Sequence, residues 1–88
     1  MKAAEILCTN IRRARLARGL SQEAIAERSG LSPRHYQDVE AMRREGIRLA
    51  TIEKIARVLR VPVWRLLQPG SFPETERQRG KTGSRIKR

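Results

Sequence analysis

Residues 21–40 read SQEAIAERSGLSPRHYQDVE, and the fold turns on how this stretch is parsed. Ser21 is an N-cap candidate, a hydroxyl able to accept from the backbone N–H groups of a first helical turn. Ile25 and Ala26 supply one apolar face behind it. Gly30 suits the left-handed backbone that ends a helix, where a residue with a Cβ is strained. Leu31 then plugs the corner. Ser32 followed by Pro33 is a restart signal, a capping hydroxyl before the residue whose fixed φ suits the first helical position. In the new helix Tyr36 and Val39, three apart, face inward, and Pro33, Arg34, Gln37 and Asp38 fall on the opposite side. The stretch predicts two short helices, about 22–29 and 33–41, joined by a tight turn, with the second showing a polar face to the outside.

Upstream, residues 3–18 predict a first helix in which Leu7, Ile11 and Ala14 recur at i, i+4 and i+7, the spacing of one buried stripe. Arg12, Arg13 and Arg18 decorate the remainder. Arg15, four residues beyond Ile11, falls on or beside the apolar face, and a buried guanidinium needs a partner. Gly19 ends the helix and Leu20 turns into the core. Downstream, 42–47 (MRREGI) reads as a basic loop, and 48–60 as a fourth helix with Leu49, Ile52, Ile55, Ala56 and Leu59 as its stripe. Val61 and Pro62 break it, and 62–68 predicts a short fifth helix with Val63, Leu66 and Leu67 inward. Pro69 and Gly70 are expected to end the folded part, dividing the chain into a folded unit over 1–69 and a basic tail over 70–88. That tail holds six basic residues (Arg77, Arg79, Lys81, Arg85, Lys87, Arg88) against Glu74 and Glu76. With so little apolar surface to bury it is expected to be disordered.

Eighty-eight residues with helical periodicity almost throughout allow one all-α bundle around one small core. No apolar run approaches the length of a membrane span and no signal peptide is visible at the start, so a soluble, cytoplasmic protein is expected. The single cysteine, Cys8, excludes an intramolecular disulfide and a Cys/His zinc cluster, and reads as a small buried apolar residue. The net charge is +11, from 20 basic residues against 9 acidic, with arginine well ahead of lysine. An excess of this size attracts polyanions, and the guanidinium fork suits phosphates and guanine edges. The chemistry of an enzyme is missing: there is no nucleophile–base pair, no metal constellation and no phosphate-cradling glycine loop. No cofactor is expected. Nor is there an aromatic platform for stacking single-stranded RNA.

Two short helices at a tight turn, the second polar on its outer face, are the layout of a helix-turn-helix, whose second helix lies in the major groove. With all five helices placed, the chain resembles the phage repressor/Cro-type (XRE-type) helix-turn-helix family over about residues 6–67. The carriers are IRRARLARGLSQ (11–22), AERSGLS (26–32), YQDVE (36–40) and IARVLRVPV (55–63), whose order, spacing and hydrophobic register are specific together. The resemblance implies a compact five-helix bundle of the lambda-repressor-like kind. It further implies that Gln22 contacts the phosphate backbone or an outer base, and that Arg15 and Glu40 form a buried salt bridge between helices one and three. Backbone contacts would come from the loop after helix three, where Arg43, Arg44 and Arg48 cluster. Two departures stand out. The family usually has glycine shortly after the Glu40 position, whereas this chain has none until Gly46, so helix three is open to continuing through Met42 or Arg43. Arg60 also replaces the glycine usual at the end of helix four.

On the reading surface Arg34 is the residue best suited to guanine O6 and N7, a bidentate contact worth about 1 to 3 kcal/mol of discrimination. Gln37 has two readings, adenine or a second-row contact. Asp38 also has two: it accepts from cytosine N4, or it restrains Arg34 four residues earlier. Pro33 offers apolar contact to a thymine methyl beside its role as helix starter. Ser21, Ser32 and His35 are expected near phosphates, with the backbone N–H groups at the starts of helices two and three. Tyr36 reads as core. Trp64 is displaced from the inner face of helix five and is open to two roles, a contact in a homodimer with Leu67 or a ring folded back on its own domain.

The leading expectation is a sequence-specific double-stranded DNA-binding regulator, a small prokaryotic or phage repressor at a palindromic operator. On eighty-eight residues no effector domain is expected, so it would act by occupying an operator and excluding polymerase, or by touching polymerase beside it. A restriction–modification controller protein fits the same size. An antitoxin that binds a toxin partner and autoregulates is the rival from another class.

Overall fold

The computed structural model of this chain describes residues 2–43 and 46–74. Its elements are α1 (Ala3–Ala17), α2 (Gln22–Ser29), α3 (Pro33–Glu40), α4 (Leu49–Leu59) and α5 (Val63–Leu66), and no strand occurs among the described residues. The start signals act locally as their chemistry dictates. Ser21 Oγ accepts from the Ala24 N–H at 3.0 Å and Ser32 Oγ from the His35 N–H at 3.0 Å, with Pro33 first in α3. At the head of α1, Glu5 Oε1 accepts from the Lys2 N–H at 3.2 Å.

Each helix contributes a stripe to one core. Leu7, Ile11 and Ala14 come from α1, Ile25 and Ala26 from α2, Tyr36 and Val39 from α3, Ile52, Ile55, Ala56 and Leu59 from α4, and Leu66 from α5. Ile11, Ile25, Tyr36, Val39, Ile55 and Leu66 are wholly excluded from solvent, which fixes the rotation of α3 about its own axis. Cys8 is buried as well, its Sγ donating to the Val39 carbonyl at 3.0 Å. Burial first, then the nearby Glu40 carboxylate, raises its thiol pKa, so it packs as a neutral group.

The helix ends share one device. After α1, α2, α3 and α4 a single residue turns left-handed, Gly19 (φ 72°), Gly30 (φ 75°), Met42 (φ 60°) and Arg60 (φ 62°). The next N–H then reaches back across the last turn: Leu20 to Arg15 at 3.1 Å, Leu31 to Ala26 at 2.8 Å, Arg43 to Asp38 at 2.9 Å and Val61 to Ala56 at 3.1 Å. This is the Schellman closure, which satisfies carbonyls that the helix leaves without partners. Helix three therefore stops at Glu40 and does not run on through Met42 or Arg43. Methionine and arginine adopt the backbone that glycine adopts easily, at about 1 to 2 kcal/mol each.

Three expectations about the core need correction. Leu49 is 60% exposed, because it opens α4 and helical side chains lean toward the N-terminus, beyond the last turn that the core can cover. Leu67 is 43% exposed and lies past the end of α5, so that helix is held by Leu66, with Val63 half-buried beside it. Finally, the folded part does not end at Pro69 and Gly70. Phe72 is only 8% exposed and belongs to the core, with the Arg65 guanidinium 4.7 Å from its ring centroid and Arg13 Nη1 donating to its carbonyl at 3.2 Å. Residues 75–88, on which the remaining tail expectation falls, lie outside the described residues.

Candidate nucleic-acid interface

The outward face of α3 follows from what its inward face buries. Tyr36 and Val39 are at 0% exposure, so the side opposite them carries Pro33 and Arg34 in solvent and Gln37 and Asp38 half-buried. The Arg34 side chain is 83% exposed, the posture of a group that packing does not hold. Asp38 is different. Its side chain is 17% exposed, and its Oδ1 lies 3.7 Å from Arg34 Nε and 3.4 Å from Arg43 Nη1.

Beneath this face sits a second carboxylate with a fuller set of donors. Arg15 Nε donates to Glu40 Oε2 at 2.8 Å and Arg15 Nη2 to Oε1 at 3.1 Å, a bidentate pair. Tyr36 Oη donates to Oε2 at 2.5 Å and Gln22 Nε2 to Oε1 at 2.8 Å. Arg15 Nη1 also donates to the Leu20 carbonyl at 2.8 Å, which ties the network to the turn after α1. The two charged side chains are 10% and 6% exposed. Burial alone would raise the Glu40 pKa, but hydrogen bonds from Arg15, Tyr36 and Gln22 outweigh it and hold the carboxyl below its ordinary value. Burial likewise opposes the charge on Arg15, and Glu40 reverses that, leaving the guanidinium pKa raised. Burial, with the Glu40 carboxylate adding to it, raises the Tyr36 phenol, which stays a donor. Three helices, α1, α2 and α3, are thus cross-linked through one residue at the end of α3.

Gln22 accordingly has two duties to reconcile. One N–H of its amide is held by Glu40, which leaves the other N–H and the carbonyl oxygen for anything outside. The Ser21 and Ser32 hydroxyl oxygens accept from their own helices, and each retains a hydroxyl proton that a phosphate oxygen could accept. His35 is half-buried and, with Leu31, Ile47, Arg48, Thr51 and Lys54, lines a cleft of about 440 Å³ between α3 and the start of α4. Arg48 is the N-cap residue of α4 and is exposed. Arg43 lies against Asp38, and Arg44 falls outside the described residues.

On α5 Trp64 is 64% exposed, so it is not folded back into its own core, and Leu67 follows it by three residues along the same turn. Sequence reasoning missed the residue that seats this helix. Asn10 is 2% exposed, and its Nδ2 donates to the Leu66 carbonyl at 2.8 Å and to the Gln68 carbonyl at 2.9 Å. The available signal was a polar residue directly before Ile11 on the buried side of α1, a place where an amide must find partners. No group of three or more His, Cys, Asp or Glu residues suited to a metal ion occurs among the described residues. No described helix is long and apolar enough to cross a membrane.

Comparison with known proteins agrees with this fold. A helix-turn-helix family model matches residues 11–63, the span from α1 to the start of α5. The crystal structure of a hypothetical transcription factor, NHTF, from Neisseria superposes with a TM-score of 0.74 at 36% sequence identity, covering 78% of this chain and 78% of that one. No match appears among curated protein sequences.

Proposed function

This chain belongs to the XRE-type helix-turn-helix family, and we propose that it is a sequence-specific double-stranded DNA-binding transcriptional regulator, a repressor that occupies a palindromic operator. The observation that carries this reading is the orientation of α3: Tyr36 and Val39 are locked into the core, and Arg34 stands 83% exposed on the opposite side. An α-helix fits the major groove, where an arginine fork meets guanine O6 and N7. Arg34 and Gln37 read base edges, Pro33 offers apolar contact, and Gln22 reaches an outer base or phosphate with what Glu40 leaves of its amide. Ser21, Ser32, His35, Arg43, Arg44 and Arg48 contact phosphates, which fix register without carrying sequence information. The net charge of +11 supplies the attraction that precedes readout. Trp64 and Leu67, the exposed apolar pair at α5, form the contact of a twofold homodimer, whose symmetry the operator mirrors. The similarity to a hypothetical transcription factor from Neisseria supports a regulatory role.

The test is selection of duplexes from a random-sequence pool by the wild-type chain and by Arg34→Ala. The wild type should enrich an inverted repeat. The variant should lose preference at one base pair in each half-site and keep it elsewhere. A variant that weakens every sequence alike would make Arg34 a phosphate contact.

A further inference from the structure

We propose that Asp38 is a specificity-determining positioning residue: it orients the Arg34 fork toward its base and is itself held by Arg43 from the turn after α3. This rests on the major-groove reading of α3 proposed above. Arg34 and Asp38 are four residues apart on one helix face, the spacing at which side chains meet. An arginine 83% exposed has no packing to choose among its rotamers, so a polar neighbour on the same face is what can bias its direction. Asp38 is that neighbour, and it approaches the guanidinium at Nε, 3.7 Å from Oδ1. A carboxylate at Nε leaves the two terminal nitrogens, the fork matched to guanine O6 and N7, for a base.

The second half of the device lies in the turn. Met42 takes the left-handed backbone at φ 60°, which brings the chain back over the end of α3. Two contacts then join Arg43 to Asp38: the Arg43 N–H donates to the Asp38 carbonyl at 2.9 Å, and Arg43 Nη1 lies 3.4 Å from the carboxylate. The closure of the helix and the charge bridge use the same two residues. Arg34 and Arg43 both meet Oδ1, so one negative charge sits between two positive ones and the cluster as a whole is cationic. That arrangement explains how a carboxylate is tolerated on a surface facing phosphates. Asp38 acts through Arg34 and makes no base contact of its own.

The experiment measures affinity of the full chain for its selected duplex, and for the duplex altered at the base pair that Arg34→Ala ceases to distinguish. Asp38→Asn should cut the preference between these two by about fivefold, the upper range for an exposed ion pair. Affinity for random-sequence DNA should stay level or rise. In an Arg34→Ala background Asp38→Asn should change nothing at that base pair, and Arg43→Ala should give a smaller loss at the same position. A loss at a different base pair, or one that persists in the Arg34→Ala background, would mean that Asp38 reads a base directly and would overturn the inference. An equal gain for all sequences would also overturn it, leaving simple charge repulsion. A wild-type chain that selects no duplex would overturn the major-groove reading together with the inference, whereas a selected site with Asp38 uncoupled from Arg34 would overturn the inference alone.

Discussion

Asp38 and Glu40 stand two residues apart near the end of α3, and both carboxylates face arginine. Glu40 is 6% exposed and collects donors from Arg15, Tyr36 and Gln22, all within hydrogen-bond distance. Asp38 is 17% exposed, and its two arginines, themselves 83% and 65% exposed, approach at 3.7 and 3.4 Å. The same chemical pair therefore does different work depending on depth. Below the surface the charge has been removed from water, so its partners are obligatory and the network fixes where α3 sits. At the surface water competes, the pair contributes little to stability, and its geometry remains available to a ligand. A recognition helix needs both, a rigid seat and an adjustable face.

The largest expected effect falls on the buried member. Glu40→Ala leaves the Arg15 guanidinium without its carboxylate and should cost about 3 to 5 kcal/mol in urea unfolding. Retention of near wild-type stability would mean that Arg15 relaxes into solvent and that the network does not seat the helix. Acidification should reproduce part of this loss. Because the folded-state pKa of Glu40 is lowered, its contribution is complete above the unfolded value of about 4.3 and disappears as pH falls through the lower folded value. The wild-type chain should therefore lose stability steadily below about pH 4, and Glu40→Gln should flatten that acid limb. An unchanged limb in the variant would assign acid sensitivity to other carboxylates. A smaller effect, of opposite sign, belongs to the turn beside Asp38. Met42→Gly relieves the left-handed strain at φ 60° and should stabilise the fold by about 1 kcal/mol while keeping the closure that presents Arg43. Destabilisation there would show that the Met42 side chain holds the turn by contacts that outweigh its backbone.

Much of this architecture was legible in local chemistry. Ser21, Gly30, Ser32 and Pro33 are start and stop signals whose effect is decided within one helical turn, and the helices begin and end where these residues place them. The apolar stripes of α1 and α3 were readable because a period of 3.6 residues either aligns on one face or does not. What escaped was decided by contacts distant in sequence. Asn10 is buried because it meets carbonyls 56 and 58 residues away; its place on the buried side of α1 signals that it needs partners, but not which ones. Phe72 reads as part of a polar tail, yet its ring is covered by Arg65 and its carbonyl is taken by Arg13. Leu49 continues the stripe of α4 on paper, but a helix outruns its core by a turn. On the candidate interface the residue types were readable, and the sharing of Asp38 between Arg34 and Arg43 was not. It depends on a left-handed methionine, which sequence patterns do not single out.

The division of labour between the two carboxylates is tested most directly by one ratio, the affinity for the selected duplex over that for a scrambled one. It should be measured for the wild type, Asp38→Asn and Glu40→Gln at a temperature where all three are folded, with melting temperatures alongside. Asp38→Asn should lower the ratio and leave the melting temperature nearly unchanged, since an exposed pair contributes about 1 kcal/mol at most. Glu40→Gln should lower the melting temperature and leave the ratio intact. A ratio that falls with Glu40→Gln but not with Asp38→Asn would contradict the account, because readout would then depend on the buried seat alone.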